Sequence, residues 1–292
     1  MRRKLVQQGQ GTMTVSLPKK WVDRFGLENG GEVDISEINT RVIVEAPSSG
    51  TSTTRYFDCS KMTTNLLTNF FIGLYNAGVK DFELQGLSAE QVKRTSKLAS
   101  EQLGFEVVKS SAGRVHIIDI GSGDEEKLKQ IEQQIFWKLQ HMIDSVFEGK
   151  NAEEIKEIDT GINRLCFFTQ RQFSLHHAGD SKSFLKFQFI SVLEEIGDSI
   201  RFFHKHSGQL CKEHKFILTE VKKHIDVIRK AHAIPVTDIT TLAKEPWNAL
   251  SKKTVKLKEQ QGKGSLVQLM KLLEQLYEIS IAYSIDAAEI VR

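Results

Sequence analysis

Two carboxylates in the second half of the chain have the spacing of a ligand pair. Glu194 and Asp198 lie four residues apart in the run Leu193–Asp198. On a helix this spacing places both carboxylates on one face, where like charges repel and slightly weaken the helix. Three explanations fit the pair: a cation or basic partner bound over it, a solvated acidic stripe, or an intramolecular ion pair with Lys or Arg.

The other residue types that carry chemistry form no recognisable motif. No two of the nine histidines are four residues apart, so none makes a helical ligand pair. The odd number and wide spacing of Cys59, Cys166 and Cys211 argue against a disulfide framework and a thiolate zinc site. The chain also lacks the G-x-S-x-G, H-E-x-x-H and phosphate-loop patterns. We therefore predict that it is not an enzyme.

Charge is close to balanced overall but strongly uneven at the start of the chain. The net charge is +3, which is too small to indicate a nucleic-acid binder by itself. Residues 1–24 nevertheless carry six basic side chains and one acid, Asp23, whereas residues 25–46 carry one base and five acids. The six bases are Arg2, Arg3, Lys4, Lys19, Lys20 and Arg24.

Hydropathy gives no sign of a membrane segment. No apolar run reaches the roughly 18 residues that a membrane helix needs. The basic stretch Met1–Val6 is not followed by the apolar core of a signal peptide. These features predict a soluble cytoplasmic protein with no membrane insertion.

Linker composition divides the chain into three segments, which predicts a multidomain protein. The stretch 47–54 is rich in Pro, Gly, Ser and Thr, and a Gly-Ser-Gly run follows at 121–123. The boundaries give segments 1–46, 54–120 and 124–292. No proline lies between Pro47 and Pro235, which permits long uninterrupted helices there.

The first segment is predicted to be β-rich and too small to be stable alone. Alternation predicts strands over 4–8, 13–17, 32–35 and 41–44, with a short helix over 19–25. About 45 residues cannot bury a sufficient core without disulfides or metal. We expect a second copy of the chain to complete this fold.

The second segment is predicted to be a small α/β unit and the third to be all-helical. In 54–120 the pattern predicts strands over 55–57, 81–84, 105–108 and 115–118, and helices over 65–77 and 88–103, with Ser88 and Gln91 as a capping box. Apolar residues at steps of three and four predict six helices in 124–292. They span 124–149, 152–178, 184–207, 210–232, 238–261 and 265–291, which indicates a tandem pair of three-helix bundles.

The first segment resembles the AbrB/SpoVT/MazE family in the order of its motifs. The resemblance rests on Arg2–Gly9, Thr14–Val22, Phe25–Leu27, Gly30–Val33 and Val42–Val44. It implies a swapped-hairpin head in which two chains interlace into one barrel, and it implies DNA binding by a homodimer.

The basic half of this segment would then face the DNA phosphates. A dimer doubles the excess positive charge to about ten, enough for a steep salt dependence. The residues expected to contact DNA are Arg2, Arg3, Lys4, Thr12, Thr14, Lys19, Lys20 and Arg24. The alternative is a dimerisation module whose basic end is merely solvated. Lysine is a point charge, so Lys19 and Lys20 favour phosphate contacts over base readout.

The third segment resembles PhoU proteins. The resemblance rests on Gly149–Asp159, on Ile162–Leu165 and on the run Leu193–Asp198, which matches an E-x-x-x-D metal-binding motif. It implies a cluster of carboxylate ligands, here Glu194 and Asp198 with Asp159 from the preceding helix, and a divalent or iron-type cation as cofactor. In the matching place of the last helix Glu278 is kept, but Ala282 replaces the second acid.

Taken together, the chain resembles archaeal-type phosphate uptake regulators, which join an AbrB-like head, an α/β middle unit and a PhoU body. This implies a dimeric DNA-binding transcription regulator linked to phosphate homeostasis, with the helical body as its sensor or partner module. The alternative is a PhoU-type signalling adaptor that contacts a phosphate transporter component and uses its head only to dimerise.

Overall fold

The protein is described by a computed structural model. The residues described are 2–9, 11–38, 41–46, 54–121, 125–176, 181–208, 210–231 and 264–289. The chain divides into two compact units, Met1–Ser52 and Thr53–Arg292. Helices predominate in the described residues, and three small sheets accompany them.

The first unit consists of two hairpins around a short helix. Its elements are β1 (Val6–Gln8), β2 (Thr12–Thr14), α1 (Lys19–Arg24), β3 (Asp34–Ile38) and β4 (Arg41–Glu45). β1 pairs with β2 and β3 pairs with β4, both antiparallel. The order of elements follows the prediction, but the strand ends differ. β2 ends before the predicted Leu17 because the three residues of β1 are its only partner strand among the described residues.

In the α/β part of the second unit, two helices cover one face of a four-stranded sheet. Its elements are β5 (Arg55–Asp58), α2 (Thr64–Asn76), β6 (Asp81–Gln85), α3 (Ala89–Glu101), β7 (Phe105–Ser111) and β8 (Arg114–Asp119). The strand order is β5-β6-β8-β7, with β5 parallel to β6 and the other pairs antiparallel. The predicted elements are confirmed. The capping box is present too: Ser88 Oγ accepts from the Gln91 N–H, and the Gln91 side chain accepts from the Ser88 N–H.

Long helices form the remainder of the second unit. They are α4 (Glu125–Phe147), α5 (Ala152–His176), α6 (Ser181–Ser207), α7 (Lys212–Ala231) and α8 (Gly264–Glu289). All five contribute apolar side chains to one hydrophobic cluster. The helix predicted over 238–261 lies outside the described residues, as does the linker at 47–53. Of the described helices, none is long and apolar enough to cross a membrane.

Two hydrophobic clusters lie side by side in this second unit. One belongs to the sheet and its two helices, and the other to the five long helices. Helix α5 contacts both, since Phe167 packs against the sheet cluster while Cys166 and Phe168 belong to the helical one. The segment boundary near residue 121 therefore separates two cores within one compact unit.

Candidate nucleic-acid interface and carboxylate cluster

The first unit has no interior of its own. None of its described side chains is buried. Instead it exposes large apolar residues, among them Ile35 at 67% and Val42 at 66% of their full surface. The others are Leu5, Val6, Met13, Val15 and Phe25. Apolar surface on this scale, with no buried side chain among the described residues, is unusual for a stable isolated unit of about 50 residues.

The basic side chains of this unit are solvent-facing. Arg2, Arg3 and Lys4 precede β1 in an extended segment, and Lys19, Lys20 and Arg24 lie on α1; all six are exposed. None of them forms an ion pair with another described residue, whereas Arg24 lies over the Phe25 ring, 5.6 Å from its centroid. The only acid among residues 2–24 is Asp23, so these charges are not neutralised within the segment.

The two predicted threonines have different roles. Thr12 and Thr14 both lie on β2, and Thr12 is exposed. Thr14 is half-buried, and its hydroxyl donates to the Val6 carbonyl oxygen at 3.1 Å, which ties β2 to β1. Gly9 and Gly11 in the intervening turn have φ values of 73° and 95°, a region that favours glycine. Thr14 thus helps to build the hairpin, while Thr12 stays accessible.

The three predicted metal ligands do come together, on facing turns of α5 and α6. Asp159 belongs to α5, and Glu194 and Asp198 belong to α6. Gly197 lies opposite Asp159, where an added Cβ would be 3.5 Å from Asp159 Oδ1. Because Gly197 has no side chain, α5 and α6 can approach each other closely at the carboxylates.

An arginine that sequence analysis did not single out neutralises part of this cluster. Arg201 Nε lies 2.8 Å from Asp159 Oδ2, and Arg201 Nη2 lies 2.8 Å from Asp198 Oδ1. The signal was present, because Arg201 is three residues after Asp198 on the same helix, a spacing that permits an ion pair. Its contact with Asp159 depends on how the two helices pack.

Burial changes the acidity of two members of the cluster. It raises the pKa of Asp159 to about 6, against the attraction of Arg201, with a further increase from Asp198. It raises the pKa of Glu194 to about 7, with smaller increases from Asp198 and Asp159. Cys166 lies beneath these acids, and burial together with their charge raises the pKa of its thiol. A buried thiol of this kind is a poor nucleophile.

This arrangement does not fit a bound cation. The side chain of Asp159 is 4% exposed, and its Oδ1 has no hydrogen-bond partner among the described residues. However, Arg201 already occupies Asp159 and Asp198, and its positive charge repels a second cation at close range. Within the part of the chain that the structure describes, no group of three or more His, Cys, Asp or Glu side chains is placed to hold a metal ion. A cation would have to displace Arg201.

Two further buried polar contacts were also missed by sequence analysis. His224 Nδ1 lies 2.9 Å from Tyr277 Oη and joins α7 to α8 inside the helical core. Arg171, on α5, is fully buried and pairs with Asp119 at the end of β8. Spacing along the chain gives no signal for either pair, because the partners are 53 and 52 residues apart.

Searches against protein-family models, curated proteins and solved structures return no match for this chain.

Proposed function

We propose that this protein is a homodimeric DNA-binding regulator of phosphate uptake, with an AbrB-like head (Met1–Ser52) and a PhoU-like helical body. The observation that carries the proposal is the surface of the head. It combines exposed apolar side chains with six exposed basic side chains that form no ion pair within the described residues. A second copy covers the first feature, and the phosphates of double-stranded DNA match the second.

The apolar surface supports self-association rather than a heterologous partner. An isologous dimer buries the same patch on both chains, so one self-complementary apolar surface is sufficient to form the interface. The register of β3 and β4 places Ile35 and Val42 on one face of the hairpin, because Val42 lies opposite Glu37 and Glu37 is two residues from Ile35. Two interlaced copies would give the head the core that a single copy lacks.

The distribution of charge supports DNA as the ligand. The bases lie in residues 2–24, and the acids Glu28, Glu32, Asp34, Glu37 and Glu45 follow in the second half of the head. Segregation of this kind concentrates positive charge in the half of the head that holds β1, β2 and α1, and concentrated positive charge attracts the phosphate backbone. Lysine-rich contacts favour affinity over base discrimination.

The experiment is a mobility-shift titration of the full-length protein on duplex DNA across a series of salt concentrations. We expect binding that weakens steeply with salt. The variant K19A/K20A removes four charges per dimer, and if all four contact phosphates the slope of log K against log salt flattens by about 3.6. K93A/K97A, with two exposed lysines on α3, is the matched control and should leave the slope unchanged.

Absence of binding at the lowest salt would contradict DNA binding and favour the second candidate function. That candidate is a PhoU-type adaptor that contacts a phosphate transporter component and uses the head only to dimerise. It is favoured by the same uncovered apolar surface and does not require the basic residues. Dimerisation without DNA binding is therefore its signature.

Metal binding by Asp159, Glu194 and Asp198 remains a prediction from the resemblance, and Arg201 weighs against it. Elemental analysis of the purified protein and of E194A/D198A tests it directly. A divalent or iron-type cation present in the wild type and lost in the variant would support a metal-bound form in which Arg201 has moved. An equal metal content in both proteins would contradict it.

A further inference from the structure

Helix α5 is buried around its whole circumference over six consecutive residues, 168–173. A helix at the surface of a bundle buries one face only, so burial on all sides means that α5 is enclosed between two bodies. One side meets the long helices and the other meets α2 and the sheet. Four of the six residues are polar: Thr169, Gln170, Arg171 and Gln172.

Arg171 is the largest fully buried side chain among the described residues, and it connects α5 to three parts of the α/β subdomain (54–121). Nη1 donates to the Tyr75 carbonyl at 2.5 Å and Nη2 to the Val79 carbonyl at 3.0 Å, both at the end of α2. Nη2 also donates to Asp119 Oδ2 at 2.6 Å and Nε to the same oxygen at 3.2 Å.

Two aromatic rings pack against this guanidinium, and closely packed glycines surround its partner Asp119. Its carbon lies 4.7 Å from the centroid of the Phe105 ring and 5.0 Å from that of Tyr75. Asp119 is held in turn, since its Oδ1 accepts from the Gly121 N–H at 2.9 Å. A Cβ on Gly121 would lie 2.7 Å from the Gly104 Cα, so this corner has no room for a side chain.

A second set of polar contacts runs parallel to the first. Asn76 Nδ2 donates to Gln170 Oε1 at 3.1 Å, and Gln170 Nε2 donates to Ser191 Oγ at 2.8 Å. These bonds link α2, α5 and α6 in one line. The junction is therefore built from directional polar groups, in addition to the apolar contacts beside it.

Directional groups at a buried junction specify geometry more than they add stability. An apolar junction of similar volume is often as stable as a buried ion pair, because both charges must lose water. A planar fork bonded to two carbonyls and one carboxylate is satisfied in a single relative position of its partners. Sliding or rotation of α5 against α2 would leave these buried groups unpaired.

We propose that Arg171 sets the orientation of the helical bundle on the α/β subdomain, so that the two move as one body. The proposal does not depend on DNA binding or on dimerisation. Loss of the Arg171 contacts leaves the apolar packing in place but allows more than one arrangement of the two parts.

The test measures orientation directly in the full-length protein. Cys211, the exposed cysteine, is replaced by Ser, and spin labels are placed on exposed positions of each part through K93C on α3 and E157C on α5. Labelled protein is mixed into an excess of unlabelled C211S protein, so that double electron–electron resonance gives the distribution of distances between the two labels of one chain. The variant R171M/D119N removes both buried charges and keeps an oxygen at residue 119 for the Gly121 N–H.

We expect one narrow distribution of label distances in the protein that keeps Arg171, and a broadened or multi-peaked distribution in R171M/D119N. R171K retains the charge but lacks the planar fork, so it should also broaden the distribution. R164M changes an exposed arginine on the same helix and should leave it narrow. Circular dichroism establishes that each variant keeps its helices. A narrow, unshifted distribution in R171K or in R171M/D119N would overturn the proposal.

Discussion

Arg201 on α6 contacts Asp159 on α5, with 2.8 Å between Nε and Oδ2, and thereby supplies the positive charge nearest to a cluster of three carboxylates. It also pairs with Asp198 on its own helix. One exposed edge of a guanidinium thus balances a buried acid and an accessible one. The stability of the α5–α6 contact should depend on this residue and on pH.

Removal of Arg201 should destabilise the helical body in alkaline more than in acidic solution. At pH 8 R201A leaves Asp159 without its counter-charge, and we expect a loss of about 1–2 kcal/mol in the free energy of unfolding. At pH 5 Asp159 and Glu194 bind protons, because their pKa values are about 6 and 7, so the loss should shrink. Chemical denaturation at both pH values measures the difference.

K156A is the control for this comparison. The Lys156 ammonium pairs with Glu153 at 3.0 Å on the exposed side of α5. Exposed pairs of this kind contribute little, about 0–1 kcal/mol. An R201A loss that is no larger than the K156A loss, or that does not vary with pH, would contradict the role given to Arg201.

Neutralising Glu194 should stabilise the protein at high pH. Its pKa is about 7 in the folded protein, above the ordinary value of 4.5, so the folded state holds the proton to higher pH and stability falls as the pH rises from 4.5 to about 7. E194Q removes this dependence. We expect the free energy of unfolding of E194Q to exceed that of the wild type by about 1–2 kcal/mol at pH 8 after screening, with a correspondingly higher unfolding temperature, and the difference to be much smaller at pH 5.

Thermal unfolding followed by circular dichroism across this pH range is sufficient for the measurement. E195Q changes the exposed neighbour of Glu194 and serves as the control. If E194Q were less stable than the wild type at pH 8, the ionised carboxylate would have to be doing something favourable, such as binding a cation.

Charged substitutions on the apolar face of the head should dissociate the dimer. In an isolated chain Ile35 and Val42 are about two-thirds exposed, so I35K/V42K would change the free energy of unfolding of that chain very little. In a dimer that buries them, two lysines per chain must lose water without a partner, which costs several kcal/mol. We therefore expect monomers by sedimentation and loss of DNA binding. V108K, on the exposed part of β7, should remain dimeric.

Replacement by alanine should change the free energy of unfolding in opposite directions at two glycines near the end of α2. Gly73 is inside the helix and an added Cβ would meet nothing within 4 Å, so G73A should stabilise by about 1 kcal/mol. Gly78 has φ +76°, and its Cβ would lie 2.8 Å from Leu175 Cδ2, so G78A should destabilise. Denaturation midpoints of the two variants test this, and equal shifts of the same sign would contradict the packing of α2 on α5.

Local patterns in the sequence were sufficient to locate most of the described elements. Periodicity identified the long helices, and Ser88 with Gln91 marked the start of α3. Gly78 follows α2 with a φ of 76°, a conformation that favours glycine and ends the helix. These features depend on contacts within about four residues, so they can be recognised from spacing alone.

Spacing also brought Glu194 and Asp198 to one face, and tertiary structure decided what that face contacts. The partner of Asp159 is 42 residues further along the chain, and Asp119 and Arg171 are 52 residues apart. Such pairs depend on how helices and sheets pack, which no local pattern encodes. The sequence by itself determined the elements and the charge of the head; the packing of α5 between two cores determined which charged groups are buried and paired, because burial is a property of the whole fold.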